Sequence, residues 1–283
     1  MLKVKNYQFW FCTGSQDLYG DECLSHVAAH SKEIVEKLNA SGNLPYEVVW
    51  KPTLITNELI RKTMNEANMD DNCAGIITWM HTFSPAKSWI LGLQEYRKPL
   101  LHFHTQFNEE IPYDSIDMDF MNLNQSAHGD REFGFICTRL GIKREVVSGY
   151  YKHADVIERV RHFAQAAVAV DFGRGMRVAM FGNNMRDVAV TDGDRVESEI
   201  KYGWNVNYYG IGDLCDIISG ITDEEIDAKM AEYTEKYAMN TDNLAAVREQ
   251  AKYEAALEKF LARENISAFT DTFQDLHGLS QLP

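Results

Sequence analysis

Apolar residues in the first part of the chain come in short, dense runs separated by longer amphipathic stretches. The runs are Tyr7–Cys12, Tyr46–Trp50, Cys73–Trp79 and Leu100–His104. Their length and continuity suit strands buried on both faces, as in a parallel sheet. Between the first two, Val27, Ile34, Val35 and Leu38 recur on one face of a predicted helix from about Asp21 to Asn39, closed by Ser41-Gly42-Asn43. Thr56 reads as an N-cap, with Glu58 in the first turn of a helix reaching about Asn68. Trp89–Tyr96 reads as helical. Strand alternating with helix predicts parallel strands joined by right-handed crossovers.

The pattern then lapses. Thr105 to Asp119 is long, acidic and aperiodic, and leads into Phe120–Asp130, also read as loop. Loops of this length inside a compact domain are more often functional than idle. A helix from about Arg131 to Leu140, a strand at Glu145–Gly149 and a helix at Asp155–Phe172 complete a first α/β domain, residues 1–172. Gly173-Arg174-Gly175 reads as a hinge. A second α/β domain, residues 173–283, starts with strand Met176–Phe181, a loop at Gly182–Thr191 and a helix from about Asp192. Strand Trp204–Tyr209 follows, then helices at Asp213–Ser219, Thr222–Tyr237 and Asn243–Arg263, and a strand end at Phe269. Three strands are fewer than a sheet usually holds, so this domain is expected to be partial.

Composition narrows the function. A formal net charge of -14 argues against a nucleic-acid or anionic-membrane surface. No apolar run approaches a membrane span, and the first residues are too few and too mixed for a signal peptide. The five cysteines stand apart in an odd number, which suits reduced thiols in the cytoplasm. The chain has no dinucleotide turn, P-loop, H-E-x-x-H or G-x-S-x-G elbow.

The polar loop after the first strand, Gly14-Ser15-Gln16-Asp17-Leu18-Tyr19-Gly20, stands where open α/β sheets present ligand-binding groups. Gln16 can donate and accept hydrogen bonds to a hydroxyl-rich ligand. Gly14 and Gly20 permit sharp turns. His102 and His104 share one face of a strand. They could be half a metal site, although a metal also needs matching carboxylates; otherwise they are a pair hydrogen-bonded within the sheet. His128 reads as a loop histidine beside Gln125 and Asp130, able to titrate near working pH. Phe83 and Phe273 read by default as packing aromatics. Asp213, Asp216, Glu224 and Glu225 lie at helix starts, where the dipole favours negative charge.

Several blocks carry a resemblance that spacing alone does not. Phe9–Gly20, Gly75–Phe83, Asn122–Gly134, Phe181–Val188 and Ala268–Leu282 resemble, in order, segments of the L-arabinose isomerases. The resemblance implies two Rossmann-like domains, the second incomplete here, with the family's mostly β C-terminal domain absent. It implies interconversion of L-arabinose and L-ribulose in arabinose catabolism, with D-galactose to D-tagatose as a side activity.

For individual residues, the resemblance makes Gln16, Tyr19, Gln125 and His128 substrate contacts lent to a neighbouring subunit. Leu18, Phe83, Met185 and Phe273 become apolar walls, with Thr270 a hydroxyl contact. His277 does not match a family metal ligand and is read as structural. The family metal is Mn(2+), held by two glutamates and two histidines, and the glutamates serve as acid and base. All four belong to family sequence after the position of Pro283, so no catalytic or metal residue is expected in this chain, and it is expected to be truncated and inactive alone. A homo-oligomer, hexamer or trimer, is implied. Two other readings remain: a two-lobed sugar-binding or regulatory module, and a fragment that only assembles with intact subunits.

Overall fold

The strand Gln8–Gly14 (β1) is paired on both sides within the first sheet and is apolar on both faces. The computed structural model describes residues 5–276; His277 and the residues after it lie outside them. Contacts divide the chain into two units, one running to Asp171 and the other starting at Phe172.

The first unit continues with helix α1 (Gly20–Ala40), strand β2 (Glu47–Trp50), helix α2 (Asn57–Met69), strand β3 (Cys73–Met80) and helix α3 (Ile90–Glu95). Strand β4 (Leu100–His104), helices α4 (Met118–Leu123) and α5 (Ser126–Arg139), strand β5 (Glu145–Ser148) and helix α6 (Ala154–Gly173) complete it. The sheet order is β2-β1-β3-β4-β5, with every pairing parallel. β1 alternates cleanly. Phe9 and Phe11 enter one cluster with Trp79, Phe103, Tyr151 and residues of α1 and α6. Trp10 and Cys12 enter another with Met80, Trp89, Phe133 and residues of α2, α3 and α5. Burying one such side chain is worth roughly 1.5–3 kcal/mol, so the two covered faces hold this unit together.

Two local expectations change. Helix α5 begins at Ser126, not near Arg131, so His128 lies in its first turn and not in a loop. The Gln125 carbonyl accepts from the His128 and Gly129 N–H groups and closes that turn. Gly129 suggests a loop in sequence, but its role is close packing. A Cβ there would meet the Thr82 carbonyl oxygen at 2.9 Å and Met80 Cβ at 3.0 Å. The short helix α4 was not anticipated; Asp117 caps it by accepting from the Phe120 N–H.

The second unit begins with strand β6 (Arg177–Phe181), helix α7 (Arg195–Tyr202) and strand β7 (Asn205–Tyr209). Helices α8 (Ile211–Ser219), α9 (Asp223–Lys236) and α10 (Leu244–Arg263), strand β8 (Ala268–Asp271) and the turn-length helix α11 (Phe273–Leu276) follow. Its parallel order is β7-β6-β8. Ala179 and Phe181 pack against Leu214, Ile218, Ala256 and Phe260 in one core. α7 starts three residues later than its pattern suggested because Asp194, and not Asp192, accepts from the Glu197 N–H. Thr222 and Glu225 form a reciprocal capping box on α9.

Candidate functional site

Both units present polar loops at the carboxyl ends of their parallel strands, the usual ligand-binding edge of such sheets. In the first unit, three connections meet there. Ser15 Oγ, after β1, lies 2.7 Å from Thr82 Oγ1, after β3. Ser126 Oγ, at the start of α5, donates to the His81 carbonyl at 3.3 Å. Gly14 makes the first meeting possible by its size, not by a turn: a Cβ there would stand 2.6 Å from Met80 Sδ and 2.7 Å from Ser84 Oγ. Gly20, with φ of 77°, does supply the turn into α1.

These connections carry the residues singled out in sequence. Phe83 stacks on the exposed His128, with ring centroids 4.4 Å apart and planes 27° apart. Gln125 Nε2 donates to Asn122 Oδ1 at 3.3 Å. Gln16 is half-buried just before the single helical turn Asp17–Tyr19. Leu18, 83% exposed, and Tyr19 line a pocket of about 440 Å³ with Glu22, His26, Phe120 and Asn122. A second pocket of about 850 Å³, which the sequence did not disclose, lies among His104, Ile111, Met118, Met121 and Tyr150.

Met185, Thr270 and Phe273 belong to the second unit. Thr270 pairs in register with Met180 on the edge strand β8 and is exposed. The loop bearing Met185 is tied to the turn bearing Phe273. Gln274 Oε1 accepts from the Arg186 N–H at 2.9 Å, and Asp275 Oδ2 accepts from the Asn183 N–H at 2.8 Å. Phe273 is 68% exposed, so it is not a packing aromatic of this unit.

The histidine pair on β4 is held from outside the sheet. Asp130 of α5, almost wholly buried, lies with Oδ1 2.7 Å from His102 Nε2 and Oδ2 3.4 Å from His104 Nε2. Burial pushes the Asp130 carboxyl well above its ordinary range. Burial, reinforced by the nearby Arg144 cation, lowers His102 to about 4. Each shift disfavours a charge, so His102 and Asp130 hold a single proton between them. In sequence Asp130 stands only as a neighbour of His128. What marks it is its spacing from Ser126, which puts both on the packed face of α5.

Among the described residues, no group of three or more His, Cys, Asp or Glu is arranged to hold a metal ion. His102, His104 and Asp130 lie together, with the Nε2 of each histidine set against one oxygen of the Asp130 carboxylate. No described helix is long and apolar enough to cross a membrane.

The family described as "L-arabinose isomerase N-terminal domain" matches residues 3–174, and "L-arabinose isomerase central domain" matches residues 177–283. Proteins named L-arabinose isomerase from Clostridium beijerinckii and Shouchella clausii are 55% and 54% identical over 284 residues. One from Geobacillus stearothermophilus is 52% identical over 289 residues. In each case the whole of this chain is aligned, and it spans 58% of the relative's length.

Proposed function

The chain belongs to the L-arabinose isomerase family, and from that premise we propose that it supplies the sugar-positioning half of an enzyme interconverting L-arabinose and L-ribulose, with D-galactose to D-tagatose as a side activity in arabinose catabolism. One observation supports this most: the carboxyl-end loops of the first sheet bring Phe83 onto His128 and join the Gln16 loop to the same edge. Gln16 and Gln125 offer amide donors and acceptors to sugar hydroxyls. Tyr19 and His128 add a phenol and an imidazole, and Leu18 and Phe83 an apolar wall against the ring carbons. Met185, Thr270 and Phe273 would belong to the own pocket of the subunit that receives the loops lent by its neighbour.

Moving a proton between neighbouring sugar carbons requires an acid, a base and polarisation of the oxygens, which Mn(2+) would supply when bound. Among the described residues no group of three or more His, Cys, Asp or Glu is arranged for that ion. What they can do is bind, orient and shield the sugar. The 283 residues by themselves are therefore proposed to bind sugar without turning it over. We further place the protein in the cytoplasm as a homo-oligomer, hexamer or trimer, with the first unit of one subunit serving its neighbour's site.

Two measurements test this. Titrating L-arabinose into the chain should shift NMR signals of the His128 ring and of the Gln16 and Gln125 side-chain amides; unchanged signals at millimolar sugar overturn the site. Assaying L-ribulose with added Mn(2+) should give background only, and turnover by the purified chain would overturn the division of labour.

A further inference from the structure

A second histidine cluster lies beside the site. His81 directly follows β3 and is fully buried. Its Nε2 is 2.8 Å from Nδ1 of His30 on α1, so one nitrogen carries the hydrogen and the other accepts it. His81 Nδ1 has no partner. Both rings are clamped. His81 stacks on Trp79, centroids 4.3 Å apart, and His30 stacks on Phe107, centroids 3.6 Å apart and planes 9° apart. The same residue is a backbone junction. Its carbonyl accepts from Ser126 at the head of α5, the next side chain bonds Ser15, and the one after that is Phe83.

We propose that His30 and His81 form a positioning pair that fixes the 81–84 segment, and through it the Phe83 ring against His128, and that acid releases it. The part concerning Phe83 rests on the sugar-site reading; the latch itself does not. A neutral pair has one hydrogen for two facing nitrogens and makes a good bond. A singly protonated pair still has an acceptor. A doubly protonated pair presents two hydrogens to each other and loses the bond.

The groups around the pair set where this happens. On α1, His26 stacks above His30 with centroids 6.4 Å apart and opposes its protonation, while Glu33 favours it. Glu33 is itself engaged by Tyr151 and Lys152, at the start of the β5–α6 connection. Phe107, after β4, brings no charge. On α5, Asp130 is bound to His102. Burial is the largest influence on both rings and holds each below the ordinary histidine range, His81 far below. Below their ordinary range the unfolded chain takes up protons that the latched pair refuses, so acid favours opening.

Amide hydrogen exchange, corrected for intrinsic rates, reads the latch without any sugar. Protection at residues 82–84 should fall about tenfold, the worth of one buried hydrogen bond, between about pH 7.5 and about pH 5. Protection in the middle of β1 should stay constant. His30→Leu should lose about the same factor already at neutral pH. His30→Asn places an amide that does not titrate where Nδ1 stands; it should keep the protection and lose its pH dependence. Protection at 82–84 that ignores pH in the unsubstituted chain overturns the proposal. So does an unchanged pH response in His30→Asn, which decides the matter even if His30→Leu fails to fold. Adding L-arabinose separates the two readings: a working latch with no sugar-induced shift at His128 refutes the sugar site and leaves the latch standing.

Discussion

The two units share the parallel order of their first three strands, second-first-third, and differ in how completely they bury it. In the first, β3 is buried at all eight positions and β1 at all but its first. In the second, β7 and β8 have no buried position at all. The first sheet separates two cores, whereas the second rests on one, with Tyr208, Val196 and Ile200 exposed around its other face. A parallel strand reads as a continuous apolar run only when both faces are covered. The difference is already written in β7, Asn205-Val206-Asn207-Tyr208-Tyr209, against β3, Cys73–Met80. The first unit can therefore hold polar groups such as Asp130 and His81 in buried places, while among the described residues the second buries only Lys229 and Thr272 of its polar side chains.

Core truncation should break the comparison most sharply. Trp79 is fully buried and donates from Nε1 to the Thr105 carbonyl, so Trp79→Ala should cost the first unit about 3–5 kcal/mol. Tyr208→Ala, on a side chain 58% exposed, should change the second by about 0.5 kcal/mol or less. Urea unfolding followed by NMR signals from each unit would measure both, and equal losses would erase the distinction.

The buried carboxyl gives a smaller effect with a pH signature. Asp130→Ala leaves His102 Nε2 unsatisfied and should cost roughly 1–3 kcal/mol. In the unsubstituted chain, His102 and Asp130 hold one proton together. The unfolded chain releases both protons above about pH 6.5 and binds both below about pH 4. Stability from this pair should thus be greatest between those values and fall on either side. Asp130→Asn keeps a donor for neutral His102 but cannot ionise. Its stability should rise between about pH 4 and about pH 6.5 and then stay level. Thermal unfolding across that range decides it; a decline above neutral pH that persists in Asp130→Asn would show that the pair is not its source.

Capping gives the smallest effect. Thr222→Ala removes one half of the capping box on α9 and should cost about 1 kcal/mol, seen only in signals from the second unit. A comparable loss in the first unit would mean that the two do not unfold separately.

Much of this was readable beforehand, for identifiable reasons. Strand β4 falls at Leu100–His104, where the apolar run put it. Thr56 caps α2 as expected, because an N-cap needs only a side-chain oxygen three residues before a free N–H. The start of α5 was misplaced because Gly129 looks like a helix breaker, and only its approach to Thr82 explains it. His81 and Asp130 drew little notice in sequence. A histidine closing an apolar strand and an aspartate within a helix are unremarkable until their partners, His30 and His102, arrive from other elements.

By itself the sequence determined the α/β alternation, the parallel pairing it entails and the cap at Thr56, since these depend on periodicity and on neighbours a few residues apart. Its ordered blocks also indicated the family. Only the tertiary structure decided which polar side chains are buried, which proton they share and which loops touch. Those outcomes depend on residues 28 to 67 positions apart, such as His102 with Asp130 and Ser15 with Thr82. Local pattern does not encode such distances; packing two faces of one sheet against helices from both directions does.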